Sequence, residues 1–188
     1  MRKRRRIMNA MAELCAEQGY EATKIADIVR RASVARKTLY DNFDGKEEVF
    51  LATFDTAVGE MFDRIEEVCE AAEDEWVDRV AAGLRAFLGF VAENPAAART
   101  CLIEAMSATP AASARYDEAL QRFVALLRRD APAETGLPDT IEETLIGGVA
   151  WILHQQIRRG GAEQALDLTP ELLDFLLSPY HGVAKLGP

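Results

Sequence analysis

The stretch SVARKTLYDNFDGKEEVF, residues 33–50, decides the fold of this chain. Leu39 and Phe43 lie four residues apart, which places both on one face of a short helix. Arg36 and Lys37 stand at the start of that helix and face away from the buried side. A short helix with exposed polar and cationic residues at its N-terminus is typical of the recognition helix in a helix-turn-helix, which presents its first residues to base edges in the major groove of DNA.

Helical periodicity continues on both sides of this stretch, and no segment alternates as a strand does. The spacing predicts a first helix that stops at Gly19, a second helix capped by Thr23, and a tight turn at 33–34. Asp44 and Glu47 have the spacing of a capping box for a long fourth helix. Five more helices follow, of which the last two run over about 139–159 and from Thr169 to a point before Pro179. The sequence therefore predicts an all-α fold of about nine helices, the first three of which form the helix-turn-helix.

Charge is distributed unevenly along the 188 residues. Residues 1–50 carry 11 Lys/Arg and 8 Asp/Glu, a net charge of +3. Residues 51–188 carry the other 11 Lys/Arg and 23 Asp/Glu, a net charge of −12. The total of −9 argues against a nucleic-acid surface over the whole molecule. A basic N-terminal segment followed by an acidic remainder instead indicates two parts with separate functions.

Other classes of function find little support. Three cysteines lie far apart, which predicts no disulfide framework and a cytoplasmic location. The longest uncharged apolar run, Leu145–Leu153, is too short to cross a bilayer. His154 and His181 have no partners at metal-like spacing, and there is no phosphate loop or nucleophile motif. We therefore expect no enzyme activity, no metal, no cofactor and no membrane association.

The side chains around the third helix suit contacts with DNA. Arg36 or Lys37 can donate hydrogen bonds to guanine O6 and N7. Thr38 and Tyr40 can donate a hydroxyl to a phosphate oxygen, and Lys46 can contact a phosphate as a cation. The third helix is thus predicted to contact the DNA bases, while the residues that flank it contact the DNA phosphates.

The segment GYEATKIADIVRRASVARKTLYDNFDGKEEVF resembles the N-terminal domain of the TetR family of transcriptional regulators. The agreement runs in order and spacing from Ile7 to Phe50 and includes the Gly-aromatic pair, the Thr before the second helix and the pattern T-L-Y-x-N-F-x-x-K-E. The resemblance implies a helix-turn-helix DNA-binding domain over 1–47 and a larger ligand-binding and dimerisation domain over 48–188. The predicted DNA-binding residues are Thr23, Ala35, Arg36, Lys37, Thr38, Tyr40, Asn42 and Lys46.

Three positions depart from the family pattern. Ser33 replaces the usual Gly of the turn, and a left-handed backbone there would cost about 1 kcal/mol. Ala35 replaces the usual Ser cap of the third helix, at a cost of about 1 kcal/mol. Asn42 stands where the family often has His. These departures concern the turn geometry and one phosphate contact.

The resemblance further implies a homodimeric regulator, most simply a repressor, that leaves a palindromic double-stranded DNA operator when a small molecule binds. Candidates for its ligand pocket are aromatic, Met or polar residues, and for each of them ordinary core is the simpler explanation: Phe87, Phe90, Cys101, Met106, Tyr116, Phe123, Trp151, His154 and Gln155. Glu104 and Asp117 would suit a cationic ligand if they point inward.

Three alternatives stay open at this point. The eighth helix carries LIGGVAWIL, which is apolar around most of its circumference, so it is either the central core helix of a monomer or part of a dimer interface. The RKRRR segment, residues 2–6, is either a flexible arm that reaches DNA or a solubilising tail. The whole chain could also be an all-helical interaction protein whose helix-turn-helix does not read DNA. The predicted dimer interface comprises Ile141, Leu145, Val149, Ile152, Leu172, Phe175 and Leu176.

Overall fold

The computed structural model of the protein describes residues 2–72, 75–129, 131–132 and 137–180 in full, and the backbone of residues 181–182. Within these residues every regular element is helical, as predicted. Nine α-helices follow one another: α1 (Arg2–Ala22), α2 (Ile25–Ala32), α3 (Arg36–Tyr40), α4 (Lys46–Ala71), α5 (Trp76–Glu93), α6 (residues 95–108), α7 (Pro110–Arg128), α8 (Ile141–Arg158) and α9 (Thr169–Gly182). The loop predicted over 130–139 lies partly outside the described residues.

Two irregular helical segments were not predicted from the sequence. The helix α6 changes from α to π geometry at Thr100–Glu104 and returns to α geometry at Ala105–Ala108. A 3₁₀ helix, Ala162–Leu168, leads directly into α9. Short π segments widen a helix by one residue per turn and frequently occur at functional sites.

The chain divides into two compact units. The first comprises Met1–Glu60 and Asn94–Tyr116, and the second comprises Met61–Glu93 and Asp117–Pro188. This division does not follow the boundary predicted at residues 47 and 48, because α6 packs on α1 and so joins the N-terminal helices. The three boundaries between the two units fall inside α4, between α5 and α6, and inside α7.

The first unit is built around α1, which packs against α2, α3 and α6. Its largest fully buried side chains come from all four of the first helices and from the turn after α3: Ile7, Met11, Ile28, Leu39, Phe43, Val49 and Phe50. Leu39 is 0% exposed, as predicted for the buried face of the third helix, whereas Phe43, at 2% exposure, is buried in the turn after α3 rather than on the helix itself. Burial of each such side chain contributes roughly 1.5–3 kcal/mol.

The second unit places α5 against the 3₁₀ helix and α9. Its most buried side chains are Phe62, Leu88, Val91, Leu153 and Leu172. The indole of Trp76 donates a hydrogen bond to the carbonyl of Leu127 over 3.0 Å. This bond fixes the start of α5 to the end of α7.

The junction between α1 and α2 differs from the prediction. Gly19 interrupts the helix where the sequence predicted its end, with the non-helical angles φ 81° and ψ 164°, and a further short helical turn continues to Ala22. Thr23 is not the N-cap of α2, since that position belongs to Lys24. The Thr23 hydroxyl instead donates to the carbonyl of Gly19 over 2.8 Å.

Two other helix ends also differ from the prediction. The backbone N–H of Asp44 donates to the carboxylate of Glu48, so Glu48 rather than Glu47 closes the start of α4. The helix α9 continues past Pro179 to Gly182. The hydroxyl of Tyr180 donates to Glu142 over 3.0 Å, which holds this last turn in place although Pro179 cannot donate a backbone hydrogen bond.

Candidate DNA-binding surface and effector residues

The helix α3 exposes the residues that the sequence predicts to face outward. Ala35, Arg36 and Lys37 are exposed, as is Tyr40 at 45%, and Thr38 is half-buried. Ala35 precedes the helix in an extended conformation without a side-chain cap, as its methyl group requires. The exposed face of α3 therefore presents two cations and a phenol at the N-terminal end and the middle of the helix.

The cations of this face are largely free of other partners. The Arg36 guanidinium reaches the Tyr40 hydroxyl only at 3.5 Å and lies 5.7 Å from the centre of its ring. The Lys37 ammonium makes no hydrogen bond or ion pair among the described residues. Both side chains can therefore contact a nucleic acid without breaking strong internal bonds.

Three other predicted DNA-binding residues are engaged within the protein. Thr23 is 1% exposed, so its hydroxyl does not reach the surface. The Asn42 amide donates to the carbonyl of Thr38 over 2.7 Å and closes the end of α3. The ammonium of Lys46 donates to the carbonyl of Tyr20 over 3.0 Å and lies 4.0 Å from the centre of the Tyr20 ring. The structure thus gathers the α3 residues on one surface, and these three side chains make their hydrogen bonds within the protein.

The RKRRR segment is neither a flexible arm nor a free tail, because α1 begins at Arg2. Arg4 donates to the carbonyl of Asn42 over 2.9 Å, and its guanidinium lies 4.3 Å from the centre of the Phe43 ring. Arg6 donates to the carbonyl of Ser33 over 3.0 Å. These contacts place the first turns of α1 beside the recognition helix, which the sequence did not predict.

Ion pairs hold α2 to α1. Arg31 pairs with Glu17 at 2.6 Å and with Glu13 at 3.1 Å. The hydrogen bond from Arg31 lowers the pKa of the Glu17 carboxyl below its usual range. Arg31 is therefore a structural cation, in contrast to Arg36 and Lys37.

Glu104 is committed to the protein rather than to a cationic ligand. Its carboxylate accepts the backbone N–H of Tyr20 over 2.8 Å, immediately after the kink at Gly19, and lies 3.8 Å from the Nε of Arg99. Glu104 is the last residue of the π segment, so α6 meets the end of α1 at this point. Asp117, the other acidic candidate, is exposed.

The pocket candidates divide between the two units. Within the second unit the ring of Phe123 lies 5.0 Å from Phe87 and 4.7 Å from Phe62, and the guanidinium of Arg122 lies 3.7 Å above Phe62. Phe90 is also buried there, at 5% exposure. These residues form an aromatic cluster with a cation at its edge.

The remaining candidates are less enclosed. In the first unit Met106 is 47% exposed and Tyr116 is half-buried, and burial raises the pKa of the Cys101 thiol to about 12. In the second unit Trp151 is 61% exposed and stacks on His154 at 5.9 Å, whereas Gln155 is half-buried. Trp151 therefore lies on the surface, which corrects its placement among pocket residues.

The predicted dimer interface separates into a buried and an exposed part. Ile141 is half-buried, and Leu145, Val149, Leu172 and Leu176 are between 2% and 5% exposed inside their own unit, so they form its core.

The exposed members of the set lie on α8 and α9. Ile152 and Phe175 are exposed at 37% and 40%, together with Trp151. A Cβ at Gly148 would come within 2.8 Å of the Phe175 ring, so this glycine makes room for Phe175 rather than for a second backbone.

A polar cluster joins three helices of the second unit. Glu142 accepts hydrogen bonds from Arg128 at 2.9 Å and from the Tyr180 hydroxyl at 3.0 Å. Burial opposes the charged form of Glu142, but these hydrogen bonds prevail and leave its pKa lowered. Burial and the bond to Glu142 raise the pKa of Tyr180. The carboxylate of Glu142 is thus paired with two other helices of the second unit.

The described residues form neither a metal cluster nor a membrane-spanning helix. In that part of the chain no three His, Cys, Asp or Glu side chains come close enough together to hold a metal ion. Nor does any helix in it combine the length and the apolar character needed to cross a membrane.

This geometry defines an all-helical protein with an N-terminal helix-turn-helix whose recognition helix exposes its cations. Residues 7–53 match the sequence model of the bacterial regulatory proteins of the tetR family. The match confirms the sequence resemblance for this N-terminal domain, which is a helix-turn-helix of the tetR type.

Two curated relatives share the N-terminal part of the chain. The fatty acid metabolism regulator protein of Bacillus subtilis (strain 168) is 34% identical over 61 residues, which span 32% of this chain and 31% of that protein. The HTH-type transcriptional activator FasR of Mycolicibacterium smegmatis is 27% identical over 89 residues, 47% of this chain and 40% of that protein. The matches thus span about a third to two fifths of these relatives.

A solved structure resembles nearly the whole chain. It is that of the transcriptional regulator FadR from Bacillus subtilis in complex with stearoyl-CoA, with a TM-score of 0.80, 20% sequence identity, and coverage of 93% of this chain and 98% of that one. At this identity the likeness concerns the fold.

Proposed function

We propose that this protein is a dimeric, ligand-responsive transcriptional regulator that binds a palindromic operator through α3. The exposure of Arg36, Lys37 and Tyr40 on a TetR-type helix-turn-helix carries the proposal. One helix of five residues makes few base contacts, so two copies about one helical turn of DNA apart are needed to read a long site. Residues 1–47 supply this function, and residues 48–188 hold the effector and the partner subunit.

The proposed effector is a long-chain fatty acyl-CoA. Support comes from the fold shared with a regulator solved with stearoyl-CoA and from the relative in Bacillus subtilis named for fatty acid metabolism. An acyl chain needs an apolar lining, and the aromatic cluster of Phe62, Phe87 and Phe123 supplies side chains of that kind. The phosphates of coenzyme A need cations, a role for which Arg122 at the edge of the cluster is suited.

The proposed dimer forms through the exposed apolar face of α8 and α9. Trp151, Ile152 and Phe175 stand on this face, and large exposed aromatic side chains are enriched where subunits meet. The three cysteines are free thiols, which fits a reducing cytoplasm. Release of DNA by the acyl-CoA makes the protein a repressor in the simplest case, although the relative in Mycolicibacterium smegmatis is named an activator.

The first experiment selects duplexes that the full-length protein binds from a random DNA pool. We expect an enriched palindrome whose affinity falls steeply with salt, because each phosphate contact contributes a slope of about 0.9 in a plot of log K against log salt. A protein that enriches no duplex would instead be the all-helical interaction protein whose helix-turn-helix is structural.

The second experiment adds stearoyl-CoA to the complex with the enriched duplex. We expect a loss of DNA affinity of about 5–150-fold, the usual range for coupling between two sites. Free coenzyme A at the same concentration serves as the control for the charged part of the molecule. If stearoyl-CoA binds and DNA affinity stays the same, the proposed mechanism of release is wrong.

A further inference from the structure

Two arginines of α1 hold the backbone on either side of the recognition helix. Arg6 donates to the carbonyl of Ser33, three residues before α3. Arg4 donates to the carbonyl of Asn42, two residues after α3. The two guanidinium groups thus connect both ends of α3 to the first two turns of α1.

The turn before α3 is strained at Ser33. Its backbone is left-handed, with φ 49° and ψ 52°, and among the described residues it is the one non-glycine position with positive φ. The N–H of Ser33 donates to the carbonyl of Arg30, and the N–H of Val34 donates to that of Val29. A side chain in this conformation is disfavoured, which is why glycine usually occupies such positions.

The hydrogen bond from Arg6 depends on this strained conformation. The angle ψ of Ser33 sets the direction of its carbonyl, so an extended Ser33 would turn the oxygen away from Arg6. A bond that exists in one conformation alone stabilises that conformation. Arg6 therefore favours the turn geometry that a glycine would adopt without help.

The stability of α1 itself does not account for these cations. The N-terminus of a helix carries a partial positive charge, so Lys and Arg are unfavourable there. The first turn of α1 contains no acidic residue to compensate. Basic residues at this place work against their own helix, and their contacts with Ser33 and Asn42 are what they provide to the rest of the unit.

We propose that Arg6, assisted by Arg4, is a positioning residue for DNA recognition: it holds the left-handed Ser33 turn and thereby sets the orientation of α3. This inference rests on the proposed function, in which α3 reads the operator. Arg6 acts through the turn: its hydrogen bond to Ser33 stabilises a left-handed conformation that a glycine would adopt without such a bond.

The test is a double-mutant cycle with Arg6→Met and Ser33→Gly, measured on the duplex that the wild-type protein enriches. Arg6→Met should weaken binding about fivefold, as the loss of one exposed hydrogen bond implies. In the Ser33→Gly background the same substitution should cost less than about twofold, because glycine adopts the turn unaided. Arg6→Lys, which keeps a donor, should restore part of the affinity.

Arg5→Met is the matched control, because it removes the same charge from the same turn of α1 and Arg5 makes no hydrogen bond among the described residues. Arg6→Met should lose more affinity than Arg5→Met without a lower salt slope. A slope reduced by about 0.9, with no rescue by Ser33→Gly, would show that Arg6 contacts a phosphate and would overturn the inference.

A measurement without DNA separates this inference from the proposed function. Hydrogen exchange at the amides of Ser33 and Val34 should speed up about fivefold in Arg6→Met, while the amide of Leu88 in the second unit stays unchanged. If the wild-type protein enriches no duplex, the proposed function fails, and the exchange rates still decide whether Arg6 holds the turn. Equal exchange rates in Arg6→Met and wild type would refute the holding role.

Discussion

Replacing Glu104 by Ala should destabilise the first unit by about 2 kcal/mol. The carboxylate of Glu104 accepts the N–H of Tyr20 over 2.8 Å, at a residue that is 6% exposed. A buried donor that loses a charged acceptor costs roughly 1.5–3 kcal/mol. The pair with Arg99 at 3.8 Å is long and adds little to this figure.

Chemical unfolding in urea, followed by circular dichroism, measures this loss directly. Glu104→Gln keeps a carbonyl oxygen for the Tyr20 N–H and should lose about half as much stability as Glu104→Ala. Glu118→Ala is the matched control, because Glu118 is exposed and should change the free energy of unfolding by less than about 0.5 kcal/mol.

The two variants at position 104 decide whether the hydrogen bond matters. If Glu104→Ala unfolds at the same urea concentration as Glu118→Ala, the bond across the kink contributes nothing, and the reasoning is refuted. A loss of equal size in Glu104→Gln and Glu104→Ala would show that charge, rather than the acceptor oxygen, is what Glu104 provides.

Three further predictions concern acid stability, DNA contact and assembly. The pKa of the Glu142 carboxyl is lowered from 4.5, so its contribution to the free energy of unfolding is present above pH 4.5 and is lost as the pH falls through the lowered pKa. Glu142→Gln should therefore flatten the acid side of a plot of the free energy of unfolding against pH. An unchanged plot would contradict this. Lys37→Ala with Tyr40→Ala should weaken binding to the enriched duplex by at least about tenfold and leave thermal stability unchanged, whereas a matching thermal loss would make both residues structural. Trp151→Glu should convert the dimer into a monomer in a sedimentation experiment, and a variant that still sediments as a dimer would place the interface elsewhere.

Local periodicity was sufficient to predict the recognition helix. The spacing of Leu39 and Phe43 predicted which side of α3 is buried and which side carries Arg36 and Lys37, although α3 ends at Tyr40 and Phe43 is buried just beyond it. A tight turn at 33–34 was also predicted from the break between two helical patterns, whereas the left-handed backbone of Ser33 was considered only as a costly conformation. Features of this kind depend on residues within one or two helical turns of each other. The local sequence is therefore enough to predict them.

Contacts between distant residues could not be predicted in the same way. Lys46 was predicted to contact a phosphate, and its hydrogen bond to the carbonyl of Tyr20, 26 residues away, was not predicted. Arg6 and Ser33 are 27 residues apart. The sequence pattern around a Lys or Arg does not distinguish a residue that contacts a phosphate from one that binds a carbonyl of another helix.

The eighth helix shows a second limit of sequence patterns. Its apolar residues surround the helix, so periodicity cannot tell the core side from the outer side. Leu145 was expected at an interface and lies in the core, whereas Trp151 was expected in a pocket and lies on the surface. The packing of α9 decides between these places, through the ring of Phe175 against Gly148.

The bond between Arg6 and Ser33 has a consequence for transplanting this domain onto another protein. Family similarity begins at residue 7, so a cut made at that boundary discards both Arg4 and Arg6. A chimaera built in that way would keep every side chain that faces DNA and lose the groups that hold both flanks of α3. A transferable DNA-binding domain should therefore start at Arg2, where α1 begins, five residues before the start of the family similarity.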